Sequence, residues 1–370
     1  MCASCFFVDI QWKQWYDAED ENVTDNVTIA NKEGKTMEIY TIRDIARKAG
    51  VSVTTVSRVL NGKPDVSRAT QERVRWVMAE CHFVGNANAR GLKQMSSEMA
   101  AIIVRGRQNP FLSGLAEEML LSARETGAAF MTEYIDEQAD EFLHALQLTH
   151  SRRISGLIFL GSRIDERCRV LDGVNMPMVF ATVSAAGTPM ERASSVAMNE
   201  REMARQAGRA LLKAGKRLAV FGADRKGKDN LALRFLGIED ALREKGMAFE
   251  EARYVETRFT LSDAHAAAIA HFRRFPDTDA VFCMSDTVAL GVIRALEDLG
   301  RRVPGEVSVM GVDGIEMGEY AVPRLSTIVQ PRDEIARKSV EVLLDMMQNA
   351  APARHVTVPG TLKMRESVKQ

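Results

Sequence analysis

The stretch Thr41-Ile-Arg-Asp-Ile-Ala-Arg-Lys-Ala-Gly-Val-Ser-Val-Thr-Thr-Val-Ser-Arg-Val-Leu-Asn61 divides into two short helical segments on either side of Gly50. Thr41 can cap the first segment, and the spacing of its apolar residues extends it to residue 49. Gly50 ends that helix, because glycine adopts a positive φ without a Cβ clash. Ser52 can cap a second helix that runs to about Leu60. The pattern therefore predicts two helices joined by a tight turn.

Each predicted helix has a buried side and an exposed side. The apolar spacing assigns these residues to the buried side: Ile42, Ile45, Ala46, Ala49, Val56, Val59 and Leu60. The second helix leaves Val53, Thr54, Ser57 and Arg58 outside. An arginine there can donate two hydrogen bonds to guanine, and Val53 or Thr54 can touch a thymine methyl group. On these residues alone, a plain helical hairpin with a surface arginine remains the alternative.

The charge of the chain is unevenly distributed. The whole-chain net charge is -1, but residues 37–96 carry ten basic and five acidic residues. A local positive excess is typical of a segment that binds a polyanion, although a solvated charged surface gives the same count. Residues 1–36 carry three basic and seven acidic residues without a sustained pattern. We interpret them as a disordered tail, and Met37 could be the true start.

The complete run from Thr41 to Gly62 closely resembles the headpiece of the lactose/galactose repressor family. The resemblance continues through residues 66–70 into a third helix around Val74, Val77 and Met78. The family's headpiece binds operator DNA with its second helix in the major groove. The resemblance implies these DNA-contacting residues: Thr41, Ser52, Val53, Thr54, Ser57, Arg58, Asn61, Ser67 and Thr70.

The segment from Phe83 to Leu92 looks like the hinge helix of the same family. That helix orders on operator DNA and wedges a leucine into the minor groove. By the resemblance, the hinge residues that contact DNA are Asn86, Arg90 and Leu92. So few residues cannot hold a helix alone. Gly85 stands where proline is usual and Gly91 lies beside the wedge, so both loosen the unbound hinge.

From about residue 99, short apolar strands alternate with amphipathic helices. The predicted strands are Ala100–Val104, Gly156–Leu160, Met178–Ala181, Leu218–Phe221, Ala280–Cys283 and Val307–Gly311. The predicted helices are Leu115–Thr126, Arg201–Ala214, Leu233–Lys245 and Thr287–Leu299. This alternation predicts an α/β fold with parallel sheets covered on both faces. About 270 residues are many for one sheet, so we expect two lobes.

The family resemblance extends to about Glu366 and implies a two-lobed, periplasmic-binding-protein-like core behind a small all-α headpiece. The expected organisation is a tail (1–36), a headpiece (37–84), a hinge and linker (85–97) and an effector-binding, dimerisation core (98–370). By the resemblance, Arg234, Asp286 and Phe111 contact the effector, most often a sugar. Asn109, Asn230 and Arg107 are weaker candidates. The alternatives are that Asp286 caps a helix, that Arg234 forms a surface ion pair and that Phe111 lies in the core.

Two other function classes fit the sequence less well than a regulator. An enzyme is disfavoured because the sequence lacks a Walker-type loop, a His-Glu-x-x-His motif and a Gly-x-Ser-x-Gly motif. A transport-associated binding protein is disfavoured because it would need a signal peptide and no headpiece, and this sequence shows the reverse. The expected protein is cytoplasmic, associated with the nucleoid when operator-bound, and free of cofactors and metals. We expect a homodimer and not a tetramer, because no leucine heptads follow Arg365 before the chain ends at Gln370.

The cysteines do not suggest a disulfide framework. Five are present and most are far apart. Cys2 and Cys5 have the spacing of a metal or redox pair, but no second pair completes a metal site.

Overall fold

The structure is a computed structural model that describes residues 28–30, 36–38, 42–60, 66–81, 99–106, 109–190, 192–225 and 229–369. The chain divides into two compact units, Met1–Gln94 and Met95–Gln370. None of the helices in the described residues is long and apolar enough to cross a membrane.

The described residues of the first unit form two short strands and three helices. Strands β1 (Thr28–Ala30) and β2 (Thr36–Glu38) pair antiparallel. The sequence pattern predicts no element here, and the rest of the expected tail, residues 1–27 and 31–35, lies outside the described residues. The three helices are α1 (Ile42–Ala49), α2 (Val53–Leu60) and α3 (Arg68–Glu80).

The turn between α1 and α2 forms as the sequence predicts. Gly50 has a φ of 63° and ends α1. The Ser52 hydroxyl accepts a hydrogen bond from the Thr55 N–H at 3.1 Å and so caps α2. The three helices bury a small core made of Ile45, Ala46, Ala49, Val56, Val59, Val74, Val77 and Cys81. The predicted burial is confirmed for Ile45, Ala46, Ala49, Val56 and Val59, Leu60 is half-buried, and the side chain of Ile42 lies outside the described part of the chain.

The described residues of the second unit form two six-stranded sheets, which define two lobes. The amino-terminal lobe holds β3 (Met99–Arg105), β4 (Ala129–Ile135), β5 (Ile154–Leu160), β6 (Met178–Ala181), β7 (Ser194–Met198) and β13 (His355–Val358). All its strands are parallel, in the order β13-β7-β6-β5-β3-β4.

The carboxy-terminal lobe repeats this plan. It holds β8 (Leu218–Gly222), β9 (Tyr254–Glu256), β10 (Ala280–Cys283), β11 (Ser308–Asp313), β12 (Ser326–Val329) and β14 (Thr361–Lys363). The order is β14-β12-β11-β10-β8-β9, and β14 alone runs antiparallel to its neighbour. The prediction of parallel sheets in two lobes is confirmed.

Helices cover both faces of the sheets. They are α4 (Pro110–Thr126), α5 (Glu141–Ser151), α6 (Glu200–Ala214), α7 (Asn230–Arg243), α8 (Leu261–Arg274), α9 (Asp286–Asp298), α10 (Glu316–Tyr320) and α11 (Arg332–Asn349). The inner strands of both sheets are almost entirely buried, as expected of parallel sheets covered on both sides, whereas the edge strands β4, β9, β13 and β14 are partly exposed.

The chain crosses between the lobes three times. It leaves the amino-terminal lobe after β7, and α6 then packs on the carboxy-terminal sheet. It returns after β12, because α11 packs on β5, β6 and β7. It crosses again between β13 and β14. The carboxyl ends of the strands of both sheets meet at one cleft, which is where open α/β sheets bind ligands.

Candidate DNA-reading helix and ligand cleft

The second helix of the first unit presents a polar outer face. Ser52, Thr54 and Arg58 are exposed, Val53 is 41% exposed, and Ser57 is half-buried. The opposite face, with Val56 and Val59, is buried in the three-helix core. The face assigned from the sequence to base reading is therefore the face that the fold leaves accessible.

The other predicted DNA contacts divide into two groups. Ser67 caps α3 by accepting a hydrogen bond from the Thr70 N–H at 3.3 Å, and the two hydroxyls lie 2.8 Å apart. Five further residues lie outside the described residues, and their DNA contacts stay predictions: Thr41, Asn61, Asn86, Arg90 and Leu92.

A cavity of about 850 Å³ lies between the two lobes of the second unit. Side chains at or directly after strand ends line it. From the amino-terminal lobe come Arg105, Ser162 and Thr182. From the carboxy-terminal lobe come Met284, Ser285, Asp313 and Gln330. The cavity is within the size range of small-molecule sites.

Four of the effector contacts expected from the sequence do line this cavity: Asn109, Phe111, Asn230 and Arg234. Asn109 caps α4, and its Oδ1 accepts hydrogen bonds from the N–H groups of Phe111 and Leu112. Only its amide nitrogen thus remains for a ligand. Phe111 is 3% exposed and belongs to the hydrophobic core as well as to the cavity wall. Arg107 lies outside the described residues.

Arg234 is held rigidly at the cavity wall. Its Nε and Nη2 donate to the two carboxylate oxygens of Glu200 at 2.7 and 3.2 Å, and Nη1 donates to the Met284 carbonyl at 2.6 Å. Both side chains are buried. Burial raises the pKa of Glu200, and the charge of Arg234 opposes that rise. A guanidinium has five N–H donors, so this arrangement leaves donors of Arg234 for a ligand.

Asp313 is the buried carboxylate of the cavity. Its Oδ1 accepts a hydrogen bond from Gln330 Nε2 at 2.8 Å. Burial raises its pKa, Arg234 acts against the rise, and nearby Asp286 adds to it. Its backbone has a φ of 121°, which a non-glycine residue seldom adopts. Such strain is often found at ligand sites, where the surrounding structure enforces it.

Two buried polar atoms in the cavity wall have no hydrogen-bond partner among the described residues. They are Thr182 Oγ1 in the amino-terminal lobe and Gln330 Oε1 in the carboxy-terminal lobe. Thr182 also has a positive φ of 74°. Buried polar groups are nearly always hydrogen-bonded, so both atoms point to a polar molecule as their missing partner.

Asp286 does not line the cavity, contrary to the expectation from the sequence. It is fully buried, and its carboxylate accepts hydrogen bonds from the N–H groups of Gly314 and Ile315 and from Thr327 Oγ1. Gly311 makes room for it, because a Cβ there would collide with Asp286 Oδ1. Nor does it cap α9, since Ser285 accepts the capping bond from Val288 N–H. Asp286 instead fixes the turn that follows Asp313.

We therefore expect Asp286→Ala to act on stability and not on ligand recognition. The substitution leaves three hydrogen-bond donors without an acceptor in the interior, at a cost of about 3 kcal/mol or more. Thermal unfolding should show a melting temperature several degrees below that of the parent. Asp286→Asn, which keeps one acceptor oxygen, should lie between the two. A melting temperature of Asp286→Ala equal to the parent's would contradict this role.

Ion pairs bridge the two lobes at the cleft. Arg163 of the amino-terminal lobe pairs with buried Asp229 of the carboxy-terminal lobe at 3.1 Å. Arg258 of the carboxy-terminal lobe pairs with Glu137 of the amino-terminal lobe. These pairs hold the lobes together around the cavity.

Sequence reasoning missed Arg105, Thr182, Asp313 and Gln330. A signal was present, because each is the last residue of an apolar strand or directly follows one. In parallel sheets the carboxyl strand ends converge on the ligand.

Two family models match the chain. The model of bacterial regulatory proteins of the lacI family matches residues 41–86, and that of the periplasmic binding protein-like domain matches residues 209–368. The HTH-type transcriptional repressor PurR of Vibrio vulnificus is 30% identical over 338 residues, which cover 89% of this chain and 99% of that protein. The chain belongs to the lacI family of bacterial regulatory proteins.

Solved structures agree with this membership in the lacI family. A complex of the transcriptional regulator CelR with cellobiose is 27% identical, has a TM-score of 0.66, and covers 89% of this chain and 100% of that one. The Lac repressor bound to ONPG in the repressed state is 24% identical, with a TM-score of 0.75 over 89% of this chain and 99% of that one, and it shows the shared fold. The chain is accordingly a helix-turn-helix transcriptional regulator, and the family's members are DNA-binding regulators.

Proposed function

We propose that the protein is a homodimeric repressor whose affinity for operator DNA is controlled by a sugar or sugar derivative bound between the lobes. The observation that carries the proposal is the polar interlobe cavity in a chain that also has an exposed reading helix. The relative described above as a CelR–cellobiose complex supports a saccharide in such a cleft. The Lac repressor is also known as a dimer bound to operator, which supports the DNA partner and the assembly.

The chemistry of the cavity suits a molecule with several hydroxyl groups. Asp313 and Gln330 Oε1 can accept hydroxyl hydrogens, and Arg234 can donate to hydroxyl oxygens. Phe111 supplies an apolar surface beside them. A few convergent polar groups on a partly apolar wall are typical of sites that bind one small molecule in a fixed orientation.

The ligand acts on DNA binding indirectly in this proposal. Arg58 belongs to the first compact unit and all cavity residues to the second. A ligand changes operator affinity only if it binds more tightly to one of two conformations of the core. The interlobe pairs Arg163–Asp229 and Arg258–Glu137 offer such a difference, because opening the cleft would break them.

An exposed apolar patch on the carboxy-terminal lobe supports the homodimer. Met317, Tyr320 and Val322 lie within six residues of one another and are 49%, 79% and 92% exposed in the single chain. Large apolar side chains grouped on a surface mark interaction sites, and tyrosine is a frequent hot-spot residue. We assign this patch to the contact with a second copy of the chain.

Tyr320→Asp should weaken the dimer strongly, because it places a charge in the apolar contact. We expect the dissociation constant of the dimer to rise about 100-fold or more, equivalent to ~2.7 kcal/mol. Sedimentation velocity over a concentration series measures this. Leu143→Asp, which alters an exposed leucine on α5 of the amino-terminal lobe (45% exposed), should leave the dimer intact. A parent-like dimer for Tyr320→Asp would show that the interface lies elsewhere.

We also propose that the bound molecule is not chemically converted and that the protein works in the cytoplasm, where operator DNA is found. In the carboxy-terminal lobe, His265 pairs with Asp298 and His271 contacts Thr278, and neither histidine lines the cavity. Recovery of a chemically altered ligand after incubation would contradict the first part of this proposal.

The proposed function is tested by finding the ligand and then the response. A thermal-shift screen of metabolites against the full chain identifies molecules that raise its melting temperature, because a ligand of the native state stabilises it. Selection from random DNA then gives the operator, and DNA titration with and without the ligand measures the response. A ligand that binds but leaves operator affinity unchanged would refute the proposed control.

A further inference from the structure

Arg105 occupies an unusual position for a charged residue. It is the last residue of β3, directly after five fully buried apolar residues, and it lines the cavity at the carboxyl end of that strand. Its backbone is paired with Ile135 of β4, and the preceding residue, Val104, is paired with both β4 and β5. The guanidinium therefore extends into the cavity from the end of a rigid strand, β3.

Arg105 is nearly without hydrogen-bond partners in the part of the chain that the structure describes. Nη1 donates to the Gly161 carbonyl at 3.4 Å, which is a long bond for one of five N–H donors. No carboxylate of the described residues forms an ion pair with it. The other three arginines of the cavity each have a carboxylate partner: Arg163 with Asp229, Arg234 with Glu200, and Arg258 with Glu137.

The nearby carboxylate of Glu141 does not satisfy this guanidinium. Its two oxygens accept hydrogen bonds from Ser162 Oγ and from the Arg163 N–H, each at 2.9 Å. Glu141 attracts Arg105 only through space, and burial lowers the pKa of Arg105 despite that attraction. An arginine keeps its charge in proteins. A partly buried charge without a direct partner is unfavourable, so an incoming anion would gain a full ion pair there.

Other polar groups of the same lobe complement Arg105. The amide nitrogen of Asn109 is unused by the helix cap, and Thr182 Oγ1 lacks a partner. Both groups can donate to anionic oxygens. The opposite wall differs, because the charge of its arginine, Arg234, is already paired with Glu200. It also offers the carboxyl group of Asp313 and the amide of Gln330. One wall is therefore suited to an anion and the other to hydroxyl groups.

We propose that the effector is an anionic sugar derivative, with a carboxylate or phosphate group that pairs with Arg105. This inference rests on the proposed function, since it names the chemical class of ligand for the same cavity. The cavity is not positive as a whole: Asp136, Glu256 and Asp263 also line it and are exposed. Selectivity for the anion thus comes from the fork of Arg105 and not from the average charge of the cleft.

The test uses the full chain and matched pairs of ligands. Glucose, galactose and sorbitol are each compared with an anionic counterpart: glucuronate, galacturonate and gluconate. Glucose 6-phosphate and galactose 6-phosphate form the phosphate arm. Thermal shift finds the binders, and calorimetric titration gives their dissociation constants. We expect an anionic member to bind at least tenfold more tightly than its neutral counterpart, and the two arms identify carboxylate or phosphate.

Variants then assign the preference to Arg105. Arg105→Gln should weaken the anionic ligand by 10- to 100-fold and change the neutral counterpart by less than about threefold. Arg105→Lys should restore part of the preference, because it keeps the positive charge. Arg258→Gln is the matched control, since it removes an arginine of the same cavity that already has a carboxylate partner. It should change the affinities of both ligands by the same factor.

Three outcomes would count against the inference. Neutral saccharides that bind as tightly as their anionic counterparts would overturn it and leave the proposed function intact. An anionic preference that survives Arg105→Gln, with the ligand-free melting temperature unchanged, would overturn the role of Arg105. If no member of either class bound, both the inference and the saccharide effector of the proposed function would fail.

Discussion

Arg58→Ala should abolish sequence-specific operator binding while leaving non-specific DNA binding nearly intact. Arg58 lies on the exposed face of α2, and one bidentate contact to guanine is worth about 1–3 kcal/mol of discrimination. A dimer loses two such contacts, so operator affinity should fall by roughly 30-fold to 10⁴-fold. Titration of the selected operator and of a scrambled duplex at the same salt concentration measures both affinities.

Arg47→Ala is the matched control for Arg58→Ala. Arg47 is an exposed arginine in the last turn of α1, and its substitution removes the same charge from the same unit as Arg58→Ala does. It lies on a different helix from the reading face. Its loss should weaken operator and scrambled duplex alike, because phosphate contacts carry no sequence information. If Arg58→Ala bound the operator as tightly as the parent, α2 would not be the reading helix.

Asp313→Asn should remove most of the response to the effector without unfolding the core. The substitution replaces an acceptor oxygen by an amide group, and a buried ligand hydroxyl left without its acceptor costs about 1–3 kcal/mol, so the half-effective ligand concentration should rise by roughly 5- to 150-fold. Asparagine tolerates the positive φ at this position and keeps an oxygen that can accept from Gln330. DNA titration over a ligand series measures the shift.

The stability of Asp313→Asn follows from the pKa of the carboxyl group. Burial raises this pKa in the folded chain, so the folded state disfavours the ionised form. The contribution of Asp313 to stability is present at low pH and is lost as the pH rises through its folded pKa. The neutral variant should therefore be at least as stable as the parent at alkaline pH.

Asp263→Asn serves as the control for Asp313→Asn. Asp263 lines the same cavity but is exposed, and it lies in the first turn of α8. Its interactions are screened by solvent, so the effector response should stay near that of the parent. A normal response in Asp313→Asn would show that Asp313 does not contact the ligand.

The headpiece was the part of the fold that could best be predicted from the sequence. Its helices obey local rules: Ser52 caps α2, Gly50 ends α1, and the apolar spacing assigns Val56 and Val59 to the interior. Strand positions in the core were also predictable where the strand is a buried apolar run. Met178–Ala181 and Ala280–Cys283 have the predicted bounds.

Other parts of the core depend on tertiary contacts and could not be predicted in this way. Strand β4 carries the polar residues Thr132 and Glu133 and lies at the edge of its sheet, so it lacks an apolar run. Strands β13 and β14 join different lobes although only two residues separate them. Asp286 shows the same limit within the site, because its donors come from residues about 28 and 41 positions away along the chain.

The central claim is that the interlobe ligand and the operator are thermodynamically coupled. The most direct measurement is the affinity of the effector for the dimer with and without saturating operator, together with the affinity of the operator with and without saturating effector. Linkage requires the two ratios to be equal, and coupling of ~1–3 kcal/mol predicts a ratio of about 5 to 150. The account predicts equal ratios in this range for the parent. Effector affinity that is the same with and without operator would contradict it.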